Sequence, residues 1–478
     1  MTTVLPADLA GAMLMVGQTG HDQRVLRYQA QLIAPMLGGG VQAGTPDLTN
    51  AFRSKSIKGH LRWWWRTLAL AGDLDDLYDK EQPLSQSGDG VRTAEENLWG
   101  SVRGERAKRS QVTLEVSGIE AEGHPFEQQV PGDWGPRWVA EPRVGDLKYA
   151  MFPAQHKDGG IGPKDFIAAG GRFSLVLTVK SEKLLDEVKR VVGVWATFGG
   201  VGARTRRGIG AVEVHDAHGH LVSVVDSQGV CTLRAVTICV CPSNGTALCF
   251  EGPKEAGVRA VKALQYFRQG AGFARNPPAY GSRTPGLSRW PEPHAVRTRT
   301  GFHFSGEKGP TGTRIHKTHL PLSLGDHFPR GAFGLPIVLR FQDGPSTTAD
   351  GQPVVDTLNR DPATRTVNLP DKNRMASPLI LRAVAVTVGG KSQYLAVAAV
   401  IRRDAANPWV GDVHIQPSAG SSAGAATWDP AWRAGTARGA AGIRPLEDPR
   451  CVTGPFPAPA NAVQAFMNFF TAYKGEPH

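Results

Sequence analysis

Two kinds of hydrophobic periodicity alternate along residues 24–214, and their order restricts the fold more than any other feature of the chain. A two-residue alternation, typical of strands buried on one face, predicts strands at 24–33, 111–118, 171–179 and near 214. Helical spacing of apolar residues predicts helices at 57–68 and 182–195. This order of strand, helix, strand, strand, helix, strand is the split βαβ arrangement. It predicts an α+β fold with an antiparallel sheet and both helices on one face.

A second, weaker copy of the same order follows. Its predicted elements are a strand at 232–240, a helix at 254–269, a strand at 333–341, a hairpin at 379–401 around Gly389-Gly390 and a helix at 461–473. We therefore expect two ferredoxin-like (RRM-like) domains with long loop insertions. The expected boundaries are an N-terminal extension at 1–23, a first domain at 24–228 with an insertion at 119–170, and a second domain at 229–478 with a low-complexity segment at 417–441.

The segment Arg53–Leu68, RSKSIKGHLRWWWRTL, combines an apolar stripe with a basic one. Read as a helix that begins near Ile57 with Ser56 as N-cap, it buries Ile57, Leu61, Trp64, Trp65 and Leu68. Three cations align beside this face at spacings of four: Lys58, Arg62 and Arg66. Like charges at this spacing cost a helix a few tenths of a kcal/mol per pair, so the register favours an external polyanion. A solvated basic face would produce the same pattern.

A glycine–arginine loop, GGVGARTRRGIG at Gly199–Gly210, follows the second predicted helix. It fits neither the dinucleotide fingerprint nor the P-loop, since it lacks both GxGxxG and GK[ST]. Glycines allow main-chain N–H groups to approach phosphates, and arginines add charge-assisted contacts. The loop therefore predicts sequence-independent binding of a phosphate backbone, although a flexible hairpin with surface arginines would read similarly.

The net charge of +11 and the sequence pI of about 9.5 favour a nucleic-acid partner. Five cysteines without a CxxC pair, in a chain with no recognisable export signal, fit a reducing cytoplasm. No apolar run approaches the roughly 20 residues needed to span a bilayer, so we expect no membrane partner.

Two motifs together resemble the RAMP superfamily of CRISPR proteins: SIKGHLRWWWR after a first strand, and GGVGARTRRGIG after the second helix. The triple tryptophan after IKGHLR, and RMASPLILR at Arg374–Arg382, resemble above all subunit one of the type III-B (Cmr) effector complexes. The match in element order covers most of residues 24–401. The insertion and the low-complexity segment depart from the simplest family pattern.

The resemblance implies a non-catalytic RNA-binding subunit of a CRISPR–Cas ribonucleoprotein that acts in antiviral RNA interference. It implies contact with the 3′ region of a guide RNA, with single-stranded target RNA or with both, beside other Cmr subunits. Carried onto this sequence, the candidate RNA-binding residues are Arg53, Lys55, Lys58, Arg62, Arg66, Gly200, Gly202, Arg204, Arg206, Arg207, Lys372 and Arg374. Trp64 and Trp65 are expected in the core, whereas Trp63 is the candidate for stacking on a base or a partner.

Two other functions stay open from the residues alone. Some RAMP proteins process precursor guide RNA without a metal, and His60, His316 or His319 would then act as general acid or base. The basic tryptophan helix would instead pack on a neighbouring subunit if the chain were a protein scaffold. HDAHGH at His215–His220 favours a hairpin turn over a zinc site, and no carboxylate pair stands out. We therefore expect neither a metal nor a cofactor.

Overall fold

In the computed structural model, the strands form antiparallel sheets and the helices pack on these sheets. The structure describes residues 24–42, 44–78, 84, 87–102, 107–133, 135–155, 164–243, 247–277, 288–293, 329–334, 337–340, 364–368, 376–401, 411–417, 425–428, 448–456, 459 and 461–475. The predicted N-terminal extension at 1–23 lies outside these residues, as do Lys372, Arg374, His316 and His319.

The strands are β1 Arg24–Leu32, β2 Met36–Leu37, β3 Val112–Glu120, β4 Gly123–Pro125, β5 Glu127–Val130, β6 Arg137–Ala140, β7 Asp165–Ile167, β8 Arg172–Val179, β9 Val212–Asp216, β10 Val236–Cys241, β11 Cys249–Phe250, β12 Ile337–Arg340, β13 Thr364–Asn368, β14 Leu379–Val388, β15 Lys391–Ile401, β16 Gly411–Pro417 and β17 Ala425–Trp428. The α-helices are α1 Ser54–Ala71, α2 Gly88–Trp99, α3 Leu185–Phe198, α4 Pro253–Gln269, α5 Pro449–Val452 and α6 Ala462–Ala472. Short 3-10 turns lie at Leu48–Asn50, Asp75–Leu77, Gly145–Leu147, Phe152–Ala154, Glu182–Leu184 and Pro329–Phe333.

The first sheet has the order β3-β8-β1-β9, with every neighbouring pair antiparallel. Tyr28 lies opposite Leu175, and Ala30 lies opposite Phe173, so one face of the sheet carries the predicted apolar residues. All four inward residues predicted in β8 are buried: Phe173, Leu175, Leu177 and Val179. Helices α1 and α3 pack in the same core as this face. The structure confirms the antiparallel sheet, the α+β class and the side that the helices cover.

Helix α1 begins at Ser54, three residues before the predicted start, with Arg53 as N-cap and no side-chain capping bond. Ser56 is therefore not the cap. Ala51 and Phe52, directly before the helix, are buried in the core. Their packing fixes where the chain turns into the helix, because it outweighs the roughly 1 kcal/mol that a capping hydroxyl offers. The predicted buried face is confirmed and extends to Ala69.

Helix α2 lies within residues 72–110, a region for which the hydrophobic periodicity predicted no helix or strand. Its segment GDGVRTAEENLW opens with two weak helix formers and has a short apolar stripe. Ser87 caps it by accepting the N–H of Gly90, and packing against α1 holds it in place. The helix also carries Glu95, whose side chain is buried.

The second sheet is centred on β15, which pairs with β10 and β11 along one edge and with β14 along the other. The β14–β15 hairpin turns through Gly389 and Gly390, with φ angles of +56° and +75°, as the Gly-Gly prediction requires. Helix α4 packs on β14 and β15, and α6 packs on β10 and α4. Inward residues of β14 and β15 join the core of the first sheet, so the two sheets share one apolar interior.

Two parts of the chain add smaller sheets. The predicted strand at 333–341 is present as β12, but it pairs in a separate sheet of order β12-β13-β16-β17, because the local β14–β15 hairpin supplies the strand next to β15. This sheet includes β17, the part of the low-complexity segment that the structure describes. The insertion 119–170 has a core of its own, packed against Leu37, Ile209 and Val261. It thereby places Tyr149 beside α4.

Candidate nucleic-acid interface

Helix α1 and the glycine–arginine loop lie against each other. His60 Nδ1 is 2.9 Å from the carbonyl oxygen of Gly200, and the guanidinium of Arg206 lies 5.0 Å from the centre of the Trp63 ring. Lys55, in the first turn of α1, and Gly202, in the loop, are both exposed. The two motifs that the sequence singled out therefore form one basic surface.

The basic stripe of α1 has partners inside the protein. Lys58 Nζ donates to Ser110 Oγ at 2.8 Å and to the carbonyl of Val112 at 3.0 Å. Glu95 Oε1 accepts from Arg62 Nε and from Arg66 Nη1, each at 2.7 Å. Glu95 therefore supplies an internal anion for two of the three aligned cations. The sequence alone had favoured an external polyanion.

The stripe still keeps hydrogen-bond donors for a ligand. The side chains of Arg62 and Arg66 are 32% and 40% exposed, and each uses one of its five N–H groups on Glu95. Partial burial lowers the pKa of Lys58, and the charge of Arg62 lowers it further. The structure therefore leaves the predicted RNA contacts of Arg62 and Arg66 sterically open, and those contacts stay predictions.

Arg53 faces the three-glycine loop that follows β2. Its Nη2 donates to the carbonyl of Gly39 at 3.1 Å, so the side chain supports the loop. Lys55, two residues on, projects outward instead. Of this predicted pair, Lys55 is the residue with the freer access to a ligand.

The tryptophans divide as the sequence predicted. Trp64 and Trp65 are 2% and 0% exposed, and Trp65 Nε1 donates to the buried carboxylate of Glu187 at 2.5 Å. Trp63 is half-buried, packs edge-on against Trp64 and carries the guanidinium of Arg206 over its ring. Stacking of a base on Trp63 would have to share the ring with this cation.

Close packing accounts for the glycines of the loop. Gly202 has φ +77°, and a Cβ atom there would lie 2.4 Å from the carbonyl oxygen of Leu37. Gly200 has φ +140°, and a Cβ atom there would lie 2.4 Å from the carbonyl of Gly210. The loop is bonded to the chain after β1, since Ala203 N donates to the Leu37 carbonyl at 2.8 Å. The glycines therefore serve the loop's own packing, whatever else they do.

A buried arginine of β14 fixes both ends of this loop. Arg382 is 1% exposed, and it donates to the carbonyls of Ala196 and Gly199 at the end of α3 at 3.1 and 2.5 Å. It also donates to the carbonyl of Val212, at the start of β9, at 3.2 Å. Burial lowers its pKa to about 9. The RMASPLILR motif contains this residue, but no spacing or pattern in the sequence predicted its contact with the loop.

The loop arginines point towards the second half of the chain. Arg206 Nη1 donates to the carbonyl of Ser377, and Arg207 Nη2 donates to the carbonyl of Phe333 at 2.8 Å. Burial and the neighbouring charge of Arg268 lower the pKa of Arg207 to about 10, and burial lowers the pKa of Arg204. The predicted loop cations are thus together, but they are not simply displayed on the surface.

The HDAHGH segment is the predicted hairpin turn. Asp216 Oδ1 accepts the main-chain N–H groups of His218 and His220, both at 2.9 Å, and Gly219 has φ +81°. Within the ranges that the structure describes, no group of three His, Cys, Asp or Glu side chains could hold a metal ion. No helix among these residues is long and apolar enough to cross a membrane.

Residues 29–213 match the model of the RAMP superfamily. The CRISPR system Cmr subunit Cmr1-2 of Pyrococcus furiosus is 25% identical over 195 residues, which are 39% of this chain and 93% of that protein. Subunit Cmr1-1 of the same organism is 28% identical over 162 residues, which are 34% of this chain and 40% of that protein.

Two solved structures are also similar to this chain. The apo crystal structure of Cmr1 from Pyrococcus furiosus has a TM-score of 0.38 and 18% identity, with 79% of this chain and 87% of that one covered. A cryo-EM structure of the Type III-B Cmr-beta bound to cognate target RNA has a TM-score of 0.38 and 12% identity, with 80% and 94% covered. On the family match and the two Pyrococcus sequences, residues 29–213 of this chain carry a RAMP superfamily segment, and the chain is similar to Cmr1 subunits of the CRISPR Cmr system.

Proposed function

We propose that this chain is a non-catalytic RNA-binding subunit of a type III-B CRISPR–Cas ribonucleoprotein. It would contact the 3′ region of the guide RNA, the target RNA or both, beside other Cmr subunits. The observation that carries the proposal is the meeting of α1 with the glycine–arginine loop, at His60–Gly200 and Trp63–Arg206. Together they form a surface rich in cations, with an aromatic side chain among them, as sequence-independent binding of single-stranded RNA requires.

We also infer that each large sheet is a ferredoxin-like unit, with the boundary near residue 228. In the first sheet, numbering the strands by chain order gives 2-3-1-4, with one helix after the first strand and one after the third. In the second sheet, β10, α4, β14, β15 and α6 follow the same order, and the strands lie as 1-3-2. Both arrangements fit the split βαβ unit.

The contacts divide the candidate residues into two groups. Lys55, Arg62 and Arg66 retain exposed donors and are the proposed phosphate contacts of α1. Lys58 and Arg53 hold neighbouring segments by hydrogen bonds and would act mainly by shaping the surface. The proposed surface also includes the exposed main chain at Gly202 and the half-buried ring of Trp63, which packs on Trp64 and carries the guanidinium of Arg206.

Binding of unrelated single-stranded RNAs at several salt concentrations tests the proposal. Lys55→Ala with Arg62→Ala should weaken binding and flatten the salt dependence by roughly one unit per lost phosphate contact. The matched control is Lys183→Ala. This exposed lysine precedes α3, whereas the loop follows it, so about 20 Å of helix separate the two.

Equal effects of the control and the double variant would show that the surface is not the binding site. Unchanged RNA affinity combined with lost assembly into the Cmr complex would point to a scaffold instead. Incubation with repeat-containing RNA in EDTA should leave that RNA intact. Specific cleavage that His60→Ala abolishes would contradict the non-catalytic role.

A further inference from the structure

A cluster of arginines lies behind the proposed RNA surface, between the loop, α4 and the 3-10 turn Pro329–Phe333. Arg207 Nη2 donates to the carbonyl of Phe333 at 2.8 Å, and the guanidinium of Arg268 lies 5.8 Å from the Phe333 ring centre. Arg268 Nη1 also donates to the hydroxyl of Tyr149 at 3.1 Å. Arg204 shares the turn of Arg207, whose N–H bonds to the Arg204 carbonyl at 2.7 Å.

Each arginine of this cluster has a donor with no acceptor. The atoms are Arg204 Nε, Arg207 Nη1, Arg268 Nε and Arg330 Nη2, which are shielded from water and unpaired among the residues that the structure describes. An unsatisfied buried donor destabilises the folded chain, and more so when it is charged, so four within one cluster indicate a missing partner.

The charges are equally unbalanced. Among the residues that the structure describes, the carboxylate bonded to the cluster is Glu292, which is fully buried and accepts from the Arg330 N–H at 2.6 Å and from Arg330 Nε at 3.0 Å. Glu292 neutralises the charge of Arg330 alone. The side chain of Arg330 is 8% exposed, and its Nη2 atom still has no acceptor among the described residues. Burial lowers the pKa of Arg204, of Arg207 and of Arg330, and the charge of Arg268 lowers each pKa further, as like charges at short range do.

We propose that Arg204, Arg207, Arg268, Arg330 and Tyr149 form a partly buried site for one phosphate group, which comes from a nucleic-acid backbone or from free phosphate. Free phosphate offers four oxygens and a backbone phosphate offers two unesterified ones. Either set has enough lone pairs to accept all four unpaired donors, and guanidinium forks match its geometry. The Tyr149 hydroxyl, which accepts from Arg268, has its own proton left to donate. Arg206 is not part of the site, since it lies over Trp63 and bonds to Ser377.

The site goes beyond the proposed RNA-binding role, because it takes a phosphate whether or not that phosphate belongs to RNA. Its first test therefore contains no RNA. Thermal unfolding of the full chain is followed with sodium phosphate and with sodium chloride at equal ionic strength. Wild type should show a saturable rise in Tm of about 3 °C with phosphate. Arg268→Gln and Tyr149→Phe should bind phosphate about tenfold or more weakly.

The control is Arg190→Gln, which removes an arginine that pairs with Asp76 through two bonds of 2.5 and 2.8 Å. It should keep the phosphate response of wild type. Phosphate also stabilises proteins in general by exclusion from their surfaces, but that effect neither saturates nor distinguishes the variants. An equal rise in wild type and in Arg268→Gln, or no rise above chloride, would overturn the site.

RNA titrations then identify the source of the phosphate. If an RNA phosphate occupies the site, added phosphate should weaken RNA binding by wild type at constant ionic strength and leave Arg268→Gln unaffected. If free phosphate occupies it, the Tm response should persist while RNA affinity stays constant. Either result supports the site. A protein that binds no RNA yet keeps the saturable Tm response would refute the proposed function alone.

Discussion

Replacement of Arg382 by Met tests how the glycine–arginine loop is held. Methionine keeps most of the length and the apolar stem of the side chain but removes every donor. The three carbonyls that hold the loop, those of Ala196, Gly199 and Val212, would then lose their partner in an interior without water. The fourth acceptor, the carbonyl of Ala383, lies in β14, which pairs with β15. Each unsatisfied carbonyl costs about 1–3 kcal/mol, which gives a gross loss of about 3–9 kcal/mol.

Part of this loss is offset, because the variant no longer buries a charge. No carboxylate pairs with Arg382 in the ranges that the structure describes, and burial lowers its pKa to about 9, so its desolvation is costly. Removal of a buried ion can return several kcal/mol. We therefore expect a net loss of about 3 kcal/mol in the free energy of unfolding, near the lower end of the gross range.

Two measurements check this expectation. Urea unfolding gives the stability change, with Arg24→Met as control, since its exposed ion pair with Glu182 is worth about 1 kcal/mol at most. Hydrogen exchange follows the amides of Val201, Ala203 and Gly210, which bond to the carbonyls of Gly210, Leu37 and Pro35. These amides should lose more protection than those of β8. A stability loss below about 1 kcal/mol, or loop amides that exchange as in wild type, would refute the anchoring role.

Three further outcomes follow from single contacts. Glu95→Gln should cost about 1–3 kcal/mol of stability, because it weakens two charged hydrogen bonds. It should also raise RNA affinity at low salt, because it releases Arg62 and Arg66. Unchanged affinity would show that these two arginines do not contact RNA. Gly202→Ala should cost above about 2 kcal/mol in urea unfolding, whereas Gly272→Ala, with φ +78° and no atom within 4 Å of a Cβ, should cost only the backbone strain of about 1 kcal/mol. Burial raises the pKa of Glu187, so its contribution to stability is full below about pH 4.3 and is lost as the pH rises through the raised pKa. Glu187→Gln should therefore become more stable relative to wild type between about pH 4 and pH 8. A stability difference that does not change with pH would contradict this.

Local periodicity sufficed for the elements that bury one regular face. The alternation in β8 and the helical stripe of α1 predicted which side chains lie inside, because burial of one face enforces a period of two or of 3.6 residues. The Gly389-Gly390 hairpin was equally predictable, since its turn requires positive φ at both residues. Helix α2 was missed, because packing on α1 and a charged contact of Glu95 stabilise it more than its own sequence does.

The candidate site was predictable in composition but not in connection. The sequence identified the basic stripe and the glycine–arginine loop, each from its own composition and spacing. The pairing of Arg62 with Glu95 joins residues 33 apart, and the contact of Arg207 with Phe333 joins residues 126 apart. Such contacts depend on tertiary placement, on which periodicity carries no information.

The glycine–arginine loop contacts helix α1, the chain after β1 and strand β14. It touches α1 through Gly200 and Arg206, bonds to the chain after β1 through Ala203, and pairs with β14 where Leu381 N donates to the Arg206 carbonyl at 3.2 Å. A ligand that moved the loop would therefore disturb contacts to both sheets, and a change in the packing of the sheets would alter the loop. Because such coupling is reciprocal, RNA bound at this surface should stabilise the packing of the two sheets by the same free energy with which that packing favours RNA binding.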